Sequence, residues 1–263
     1  MANGIAYNRQ KMILQYLDEH RTGSVEDFCS LLNISPATVR RELNAMDKDG
    51  MLIRIYGGAT IKAQQISEEA SAPMTVEQEY RYKSERNVDS KIRISRAAAK
   101  LIPDDAIIYV NSGSTTHTFI EEVKSKKITI VTNNASAAAI DDIKATLLFV
   151  GGELRPQSRS FVGSIAINSM QEIFSTYTVL GTNGLCPKRG LTTTISQECI
   201  INQTMVSQTL GKVIVLADHS KIGVTSNFVS VALSKVDILV TDIEPEEEVK
   251  HQLEEFGIEI IVA

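Results

Sequence analysis

The chain has 263 residues, 43% of them hydrophobic and 22% charged, with a formal net charge of −5. That is ordinary for a globular protein and long enough for one large domain, or a small one beside a larger one. The negative balance excludes a chain basic throughout, so any nucleic-acid contact has to be a local patch, strengthened by oligomerisation. Cys29, Cys186 and Cys199 are odd in number and widely spaced, and His20, His117, His219 and His251 lack metal-ligand spacing. A disulfide framework and a zinc site are both disfavoured, and no metal or cofactor is expected. No apolar run approaches the ~18 residues of a spanning helix, so no membrane partner is expected and the cytoplasm is the expected location.

In chain order, Met12, Ile13, Tyr16 and Leu17 give residues 8–20 one apolar stripe, a first helix broken at Arg21-Thr22-Gly23. Ser24 caps a second short helix, with Asp27 as its capping-box partner and Val25, Phe28, Leu31 and Leu32 facing inward. Asn33-Ile34 forms a turn. Ser35 then caps a third helix, Pro36 fits its first position, and Gly50 can end it. Val39, Leu43 and Met46 fall at i, i+4 and i+7, while Thr38, Arg40, Arg41, Asn44 and Lys48 occupy the other face. Alone, that face is equally an ordinary solvated one. Its neighbours decide: three short helices with a tight turn between the last two match a helix-turn-helix. Residues 51–56 are β-prone, Gly57-Gly58 turns and Ala59-Thr60-Ile61 returns, a two-stranded wing offering Arg54 and Tyr56 to a phosphate or groove. Ser35 and Arg40 are expected to position the helix on phosphate, and Ala37, Thr38, Arg41 and Asn44 to read sequence.

Ser-Pro-Ala-Thr-Val-Arg-Arg-Glu-Leu, followed by Leu-Ile-Arg-Ile-Tyr-Gly-Gly-Ala, resembles the N-terminal signature of DeoR-type bacterial transcriptional regulators. The family usually has Asp where Glu42 stands here, a conservative departure.

A winged helix-turn-helix is thus expected over residues 1–62. Residues 63–80 are rich in small polar side chains and lack periodicity, which reads as a linker. Residues 80–102 turn helical, and apolar β-rich runs then alternate with helical patterns. Strands are expected at 106–110, 128–132, 147–150, 178–180, 213–216, 238–241 and 258–262. Helices are expected to begin near Thr115, Ala135, Ser164, Gln197 and Glu246. Strands apolar on both faces and separated by helices imply an α/β domain over 81–263, Rossmann-like, with a mostly parallel sheet covered on both sides. Ligands bind beyond the carboxyl ends of such strands.

The first of these strands ends in Asn111-Ser112-Gly113-Ser114-Thr115-Thr116 and leads into a helix. Glycine, hydroxyls and a helix N-terminus make a plausible cradle for a sugar phosphate, or simply a capped helix. Later strand ends carry Asn133-Asn134, Gly151-Gly152-Glu153, Gly181-Thr182-Asn183-Gly184 and Asp218-His219-Ser220-Lys221. Lys221 can neutralise a phosphate or stay solvated. Glu198 can bind ligand hydroxyls or only favour the positive end of its own helix.

These stretches, with Gly-Gly-Glu-Leu-Arg and Ala-Asp-His-Ser-Lys, are similar to the effector-domain motifs of the same family, which in turn resembles ribose-5-phosphate isomerase. The resemblance implies Gly113, Ser114, Thr115 and Thr116 near a phosphate, with Asn133, Gly152, Asn183, Glu198 and Lys221 lining the pocket. The family commonly has Asp where Asn111 and Asn183 stand, which changes which hydroxyls are read, because an amide also donates.

The rival reading is an isomerase with a DNA-binding appendage. The isomerase's Asp-Gly-Ala-Asp turn is matched here by Leu180-Gly181-Thr182-Asn183, and its lysine by Arg189, which cannot change protonation state at neutral pH. Glu198 alone is better explained as a binding group. A protein-binding scaffold is a third reading, disfavoured by Arg40, Arg41 and Arg54. The expectation is therefore a ligand-controlled repressor of a carbohydrate-catabolism operon. Its sheet domain would form a homo-oligomer, dimer or tetramer, holding reading heads about 34 Å or a multiple apart on double-stranded operator DNA.

Overall fold

The computed structural model describes residues 9–14, 16–17, 22–32, 34–48, 51–55, 58–61 and 84–263. It divides into two compact units, Met1–Pro73 and Met74–Ala263. The linker expected over 63–80, the Gly50 helix stop, Asn33, and Tyr56 and Gly57 of the wing lie outside the described residues.

In the first unit residues 9–14 and 16–17 are helical, followed by β1 (Thr22–Ser24), α1 (Val25–Leu32), α2 (Pro36–Lys48), β2 (Leu52–Ile55) and β3 (Gly58–Ile61). Ser24 and Asp27 form the reciprocal capping box: Ser24 Oγ accepts the Asp27 N–H at 3.1 Å and Asp27 Oδ2 accepts the Ser24 N–H at 2.7 Å. Ile13, Leu17, Phe28, Val39, Leu43, Met46 and Leu52 converge into one core from which water is almost wholly excluded. Each contributes roughly 1.5–3 kcal/mol by burial.

The wing is the expected antiparallel β2–β3 hairpin, but a third strand joins it, giving the order β1-β3-β2. Gly58 therefore sits in a strand opposite Ser24 rather than at the turn. A Cβ there would lie 2.1 Å from Gly23 O, so the close approach of β1 requires glycine.

The strands of the second unit are β4 (Ile107–Val110), β5 (Thr129–Thr132), β6 (Thr146–Phe149), β7 (Glu153–Arg155), β8 (Ser160–Val162) and β9 (Ser175–Gly181). They continue with β10 (Gly184–Cys186), β11 (Gly190–Thr193), β12 (Thr209–Leu216), β13 (Phe228–Val231), β14 (Ile238–Thr241) and β15 (Glu259–Val262). All seven sheet strands anticipated from sequence assemble into one parallel sheet, ordered β15-β14-β12-β9-β4-β5-β6.

Alternation along those strands builds two cores. Ile108, Val110, Ile130, Val179, Ile214 and Val240 face α3 (Val88–Ala99) and α4 (Ser114–Val123) on one side. Tyr109, Val131, Leu180, Val215 and Leu239 face α5 (Ser164–Met170), α6 (Ser196–Ser207) and α7 (Glu247–Glu255) on the other. Tyr109 Oη, buried among them, lies 2.9 Å from Ile173 O, and burial pushes its phenol up to about 12.

Three features depart from the sequence reading. The helix expected near Ala135 is a 3-10 turn, Ala135–Ala139, whose preceding Asn134 accepts the Ser136 N–H. The helix expected over 80–102 is interrupted at Asn87, whose φ of 51° is left-handed, and α3 starts only at Val88. The β7–β8 hairpin and the antiparallel β10-β11-β13 sheet were not anticipated. Their strands are three or four residues long and sit in loop-like polar sequence, below the length at which alternation is readable.

From the adjacent pair β4 and β9, the chain builds outward to β5 and β6 on one side and to β12, β14 and β15 on the other. The carboxyl ends of β4 and β9 thus flank the switch point where a doubly wound sheet opens a crevice.

Candidate functional site

The first unit presents a reading helix. Ser35 accepts the Thr38 N–H at 3.4 Å and shares a 3.0 Å hydrogen bond with its hydroxyl, so both residues are engaged at the cap of α2. Ala37, Arg40, Arg41 and Asn44 are exposed on the face opposite Val39, Leu43 and Met46. Glu42 is buried, and Arg9 Nε donates to its Oε1 at 2.7 Å, tying the first helical segment to α2.

Arg54 is placed differently from the expectation of a groove contact. Its Nε donates to Asn44 Oδ1 at 3.1 Å, its Nη1 donates to Gly58 O, and its own N–H goes to Asp47 Oδ1 at 3.0 Å. It brackets the reading helix to the wing. Tyr56 lies outside the described residues.

In the second unit a cavity of about 230 Å³ opens at the switch point. The Ser112–Thr115 turn at the N-terminus of α4 lines it, where the positive end of the helix dipole favours an anion. Arg86, Lys91 and Lys221 bring three cations to it. Lys91 is 4% exposed; burial pushes its ammonium down to about 8, opposed by Asp218 and reinforced by Lys221 and Arg86. Asn183, Thr193 and Glu198 also line it. Glu198 accepts from Ser160 Oγ and from Thr193 Oγ1, each at 3.3 Å, and Thr193 Oγ1 also lies 3.3 Å from Asn183 Oδ1. The cavity thus gathers three cations together with hydrogen-bonding oxygens and amides, which suits a ligand with an anionic head and hydroxyls.

Asn111, Gly113, Ser114, Thr115, Asn183, Glu198 and Lys221 line this cavity; Thr116, Asn133 and Gly152 do not. Thr116 is buried and donates to Gly113 O at 3.1 Å, shaping the turn from behind. Asn133 is buried, with Nδ2 donating to Phe161 O at 3.1 Å. Gly152 has φ +102°, and a Cβ there would lie 2.7 Å from Val162 O, so backbone packing requires it.

Asn111 also departs from its expected role. Its amide is committed to Gly181 and to Asn202 rather than offered to hydroxyls, Nδ2 donating to Asn202 Oδ1 at 3.1 Å. Asn202 in turn donates to Ser230 Oγ at 2.8 Å.

Arg86, Asn87, Lys91, Gln157, Ser158 and Asn202 line the cavity and were not singled out from sequence. Lys91 carried a readable signal: it lies three residues before Ile94 and seven before Ala98, so it occupies the buried stripe of α3. A cation in a core register needs a reason. Arg189, the counterpart of the isomerase lysine, is exposed and does not line the cavity, and Leu180 is wholly buried in the sheet core.

The Asp218–Lys221 turn is itself braced. Asp242, 4% exposed, accepts the His219 N–H at 2.7 Å and pairs with His219 Nδ1 at 2.8 Å. Burial pushes its carboxyl up, but hydrogen bonds from Ser90 and His219 outweigh that and hold it below its ordinary value. Among the described residues no cluster of side chains could hold a metal ion, and no helix is long and apolar enough to cross a membrane.

Comparison with known proteins agrees with this division. Residues 9–65 match the DeoR-like helix-turn-helix domain and residues 86–243 the DeoR C-terminal sensor domain. The chain is 28% identical over 254 residues to the HTH-type transcriptional repressor GlcR of Bacillus subtilis, covering 95% of this chain and 93% of that protein. It is 28% identical over 257 residues to a putative aga operon transcriptional repressor of Escherichia coli O157:H7, covering 97% and 93%. Ribose 5-phosphate isomerase A from Methanocaldococcus jannaschii aligns with 52% of this chain and 55% of its own, at 16% identity and a TM-score of 0.39, too distant to bear on function. The named relatives are regulators, and the family's two domains span the reading helix and the cavity described above: the chain belongs to the DeoR family of DNA-binding transcriptional regulators, with a C-terminal sensor domain.

Proposed function

We propose that this chain is a cytoplasmic repressor of a carbohydrate-catabolism operon whose hold on its operator is set by a phosphorylated sugar bound in the sensor cavity. The observation that carries this is the pairing of Arg86, Lys91 and Lys221 with the α4 N-terminus in one cavity. A phosphate there gains charge-assisted hydrogen bonds, while sugar hydroxyls meet Asn183, Thr193 and Glu198. Thr116, Asn133 and Gly152 support the loops from outside. On the DNA side, Arg40 and Arg41 present exposed guanidiniums, Ala37 and Asn44 face outward beside them, and Ser35 and Thr38 sit at the end that enters the groove.

The chain works as a homo-oligomer, dimer or tetramer, because one acidic protomer with a single small cationic face gains operator affinity by presenting two reading heads at once. The effector need shift the balance between two arrangements by only ~1–3 kcal/mol to change occupancy. The test is a thermal-shift screen of sugar phosphates against the full chain, followed by binding to DNA selected by the chain from a random pool. A sugar phosphate that raises the melting temperature and changes DNA affinity is expected. Equal affinity with and without every sugar phosphate would remove the coupling.

A further inference from the structure

The stretch that opens the described part of the second unit also contributes to the lining of its cavity. Ser84 and Glu85 are helical, Arg86 and Asn87 form a turn, and α3 begins at Val88. Arg86, Asn87 and Lys91 all line the cavity. Asn87 occupies the N-cap position of α3 yet makes no side-chain cap hydrogen bond. Its amide instead spans to another element, Nδ2 donating to Asp218 Oδ1 at 3.1 Å and lying 3.5 Å from Ser220 Oγ. Asp218 is 2% exposed and is further engaged by the Ser220 N–H at 3.0 Å, so the amide is fastened to a rigid partner. One turn on, Lys91 Nζ lies 3.5 Å from Ser84 O, and the Lys91 N–H donates to Asn87 O at 3.0 Å.

We infer that Asn87 is the positioning residue that passes occupancy of the cavity to the Ser84–Asn87 segment ahead of α3. This rests on the reading of the cavity as an anion-binding effector site. Arg86, Lys91 and Lys221 share one cavity with a single neighbouring carboxylate, Asp218; burial lowers the affinity of Lys91 for its proton, Asp218 opposes that, and Lys221 and Arg86 add to it. The groups facing Lys91 are Asp218 and Lys221 from the turn after β12 and Arg86 from its own approach. An anion seated among the three cations offsets their like charges and draws Arg86 and Lys91 toward the Asp218–Lys221 turn. Because Asn87 is pinned to Asp218, that added hold extends to the Ser84–Asn87 segment, which is secured more firmly in place. Asn87 acts through its neighbours, and the ligand itself is held by the cations and the α4 N-terminus.

The test uses hydrogen–deuterium exchange on the full chain with inorganic phosphate as the probe. In the unmodified protein phosphate should slow exchange at residues 112–116 and also at residues 84–91. Asn87→Gly keeps a residue that adopts φ 51° without strain and deletes the amide. At phosphate concentrations that restore protection at 112–116, it should still lack protection at 84–91. Asn87→Asp, which tolerates the same backbone but repels Asp218 and competes with phosphate for the three cations, should lose protection at 84–91 and weaken it at 112–116. Undiminished protection of 84–91 in both variants would overturn the inference while leaving the anion site standing. Protection of neither segment in the unmodified protein would overturn the anion site, and the inference with it.

Discussion

Asn111 grips both polar atoms of the Gly181 backbone: its Oδ1 accepts the Gly181 N–H at 2.8 Å, and its Nδ2 donates to Gly181 O at 3.0 Å. This amide crosses from the end of β4 to the end of β9, the two strands that flank the crevice. Only a group that both donates and accepts can make it. Asn111→Asp would keep the first bond and set a carboxylate against the Gly181 carbonyl. Asn202 could turn its amide to donate to the new carboxylate, which limits the damage. We expect a loss of about 1–3 kcal/mol from the sensor unit, read by urea denaturation, shrinking at low pH as the carboxyl regains a proton to donate. No loss at neutral pH would show that the bridge is dispensable.

Lys91 gives the sensor a pH signature. Its folded-state value of about 8 lies below the ordinary 10.5, so between those limits the folded chain binds fewer protons than the unfolded one. Stability from this group therefore rises with pH across that window, and the cost of burying the ammonium is fully present below it. The stability of Lys91→Met relative to the unmodified chain should fall between pH 8 and pH 10.5. A pH-independent difference would contradict this. The same variant should bind inorganic phosphate more weakly at pH 7, measured by calorimetry.

The arginines of the reader should separate by their salt response. Arg40 is exposed and is the arginine expected on phosphate, so Arg40→Ala should weaken operator binding and lower the slope of log affinity against log salt by ~1. Arg54 is spent on Asn44 and Gly58, so Arg54→Ala should lower affinity with little change in that slope. Arg54→Lys should not restore it, because an ammonium cannot reproduce the fork.

Gly58→Ala tests the third strand. The added carbon would lie 2.1 Å from Gly23 O, so β1 must part from β3. We expect the reader to lose at least ~2 kcal/mol, seen as an earlier transition in its thermal unfolding, with the sensor transition unmoved.

The reader was legible because its signals are local. Ser24 and Asp27 sit three residues apart and cap as their spacing requires, and Val39, Leu43 and Met46 fall on one stripe. The parallel sheet was legible for a related reason: its strands are apolar on both faces, and residues such as Ile108 and Tyr109 need only point opposite ways. The cavity was legible at its strand ends but not across them. Asn111 looked like a hydroxyl reader because nothing nearby in sequence reveals that Gly181, seventy residues on, takes both sides of its amide. Asn87 gave no signal, since a left-handed cap bonded to a residue 131 positions away is set by tertiary contact alone. Gly152 and Asn133 misled in the opposite direction: small polar residues at a strand end serve the loop's own packing as readily as a ligand.

Among the described residues each unit has its own core, Ile13 to Ala59 in one and Ile94 onward in the other. Heating the protein should thus trace more than one transition, and no single melting temperature describes it. A substitution can abolish the reader and leave the sensor folded. In the homo-oligomer proposed above, such a chain would still take up effector and join intact copies, so expressing it beside the unmodified protein should weaken repression.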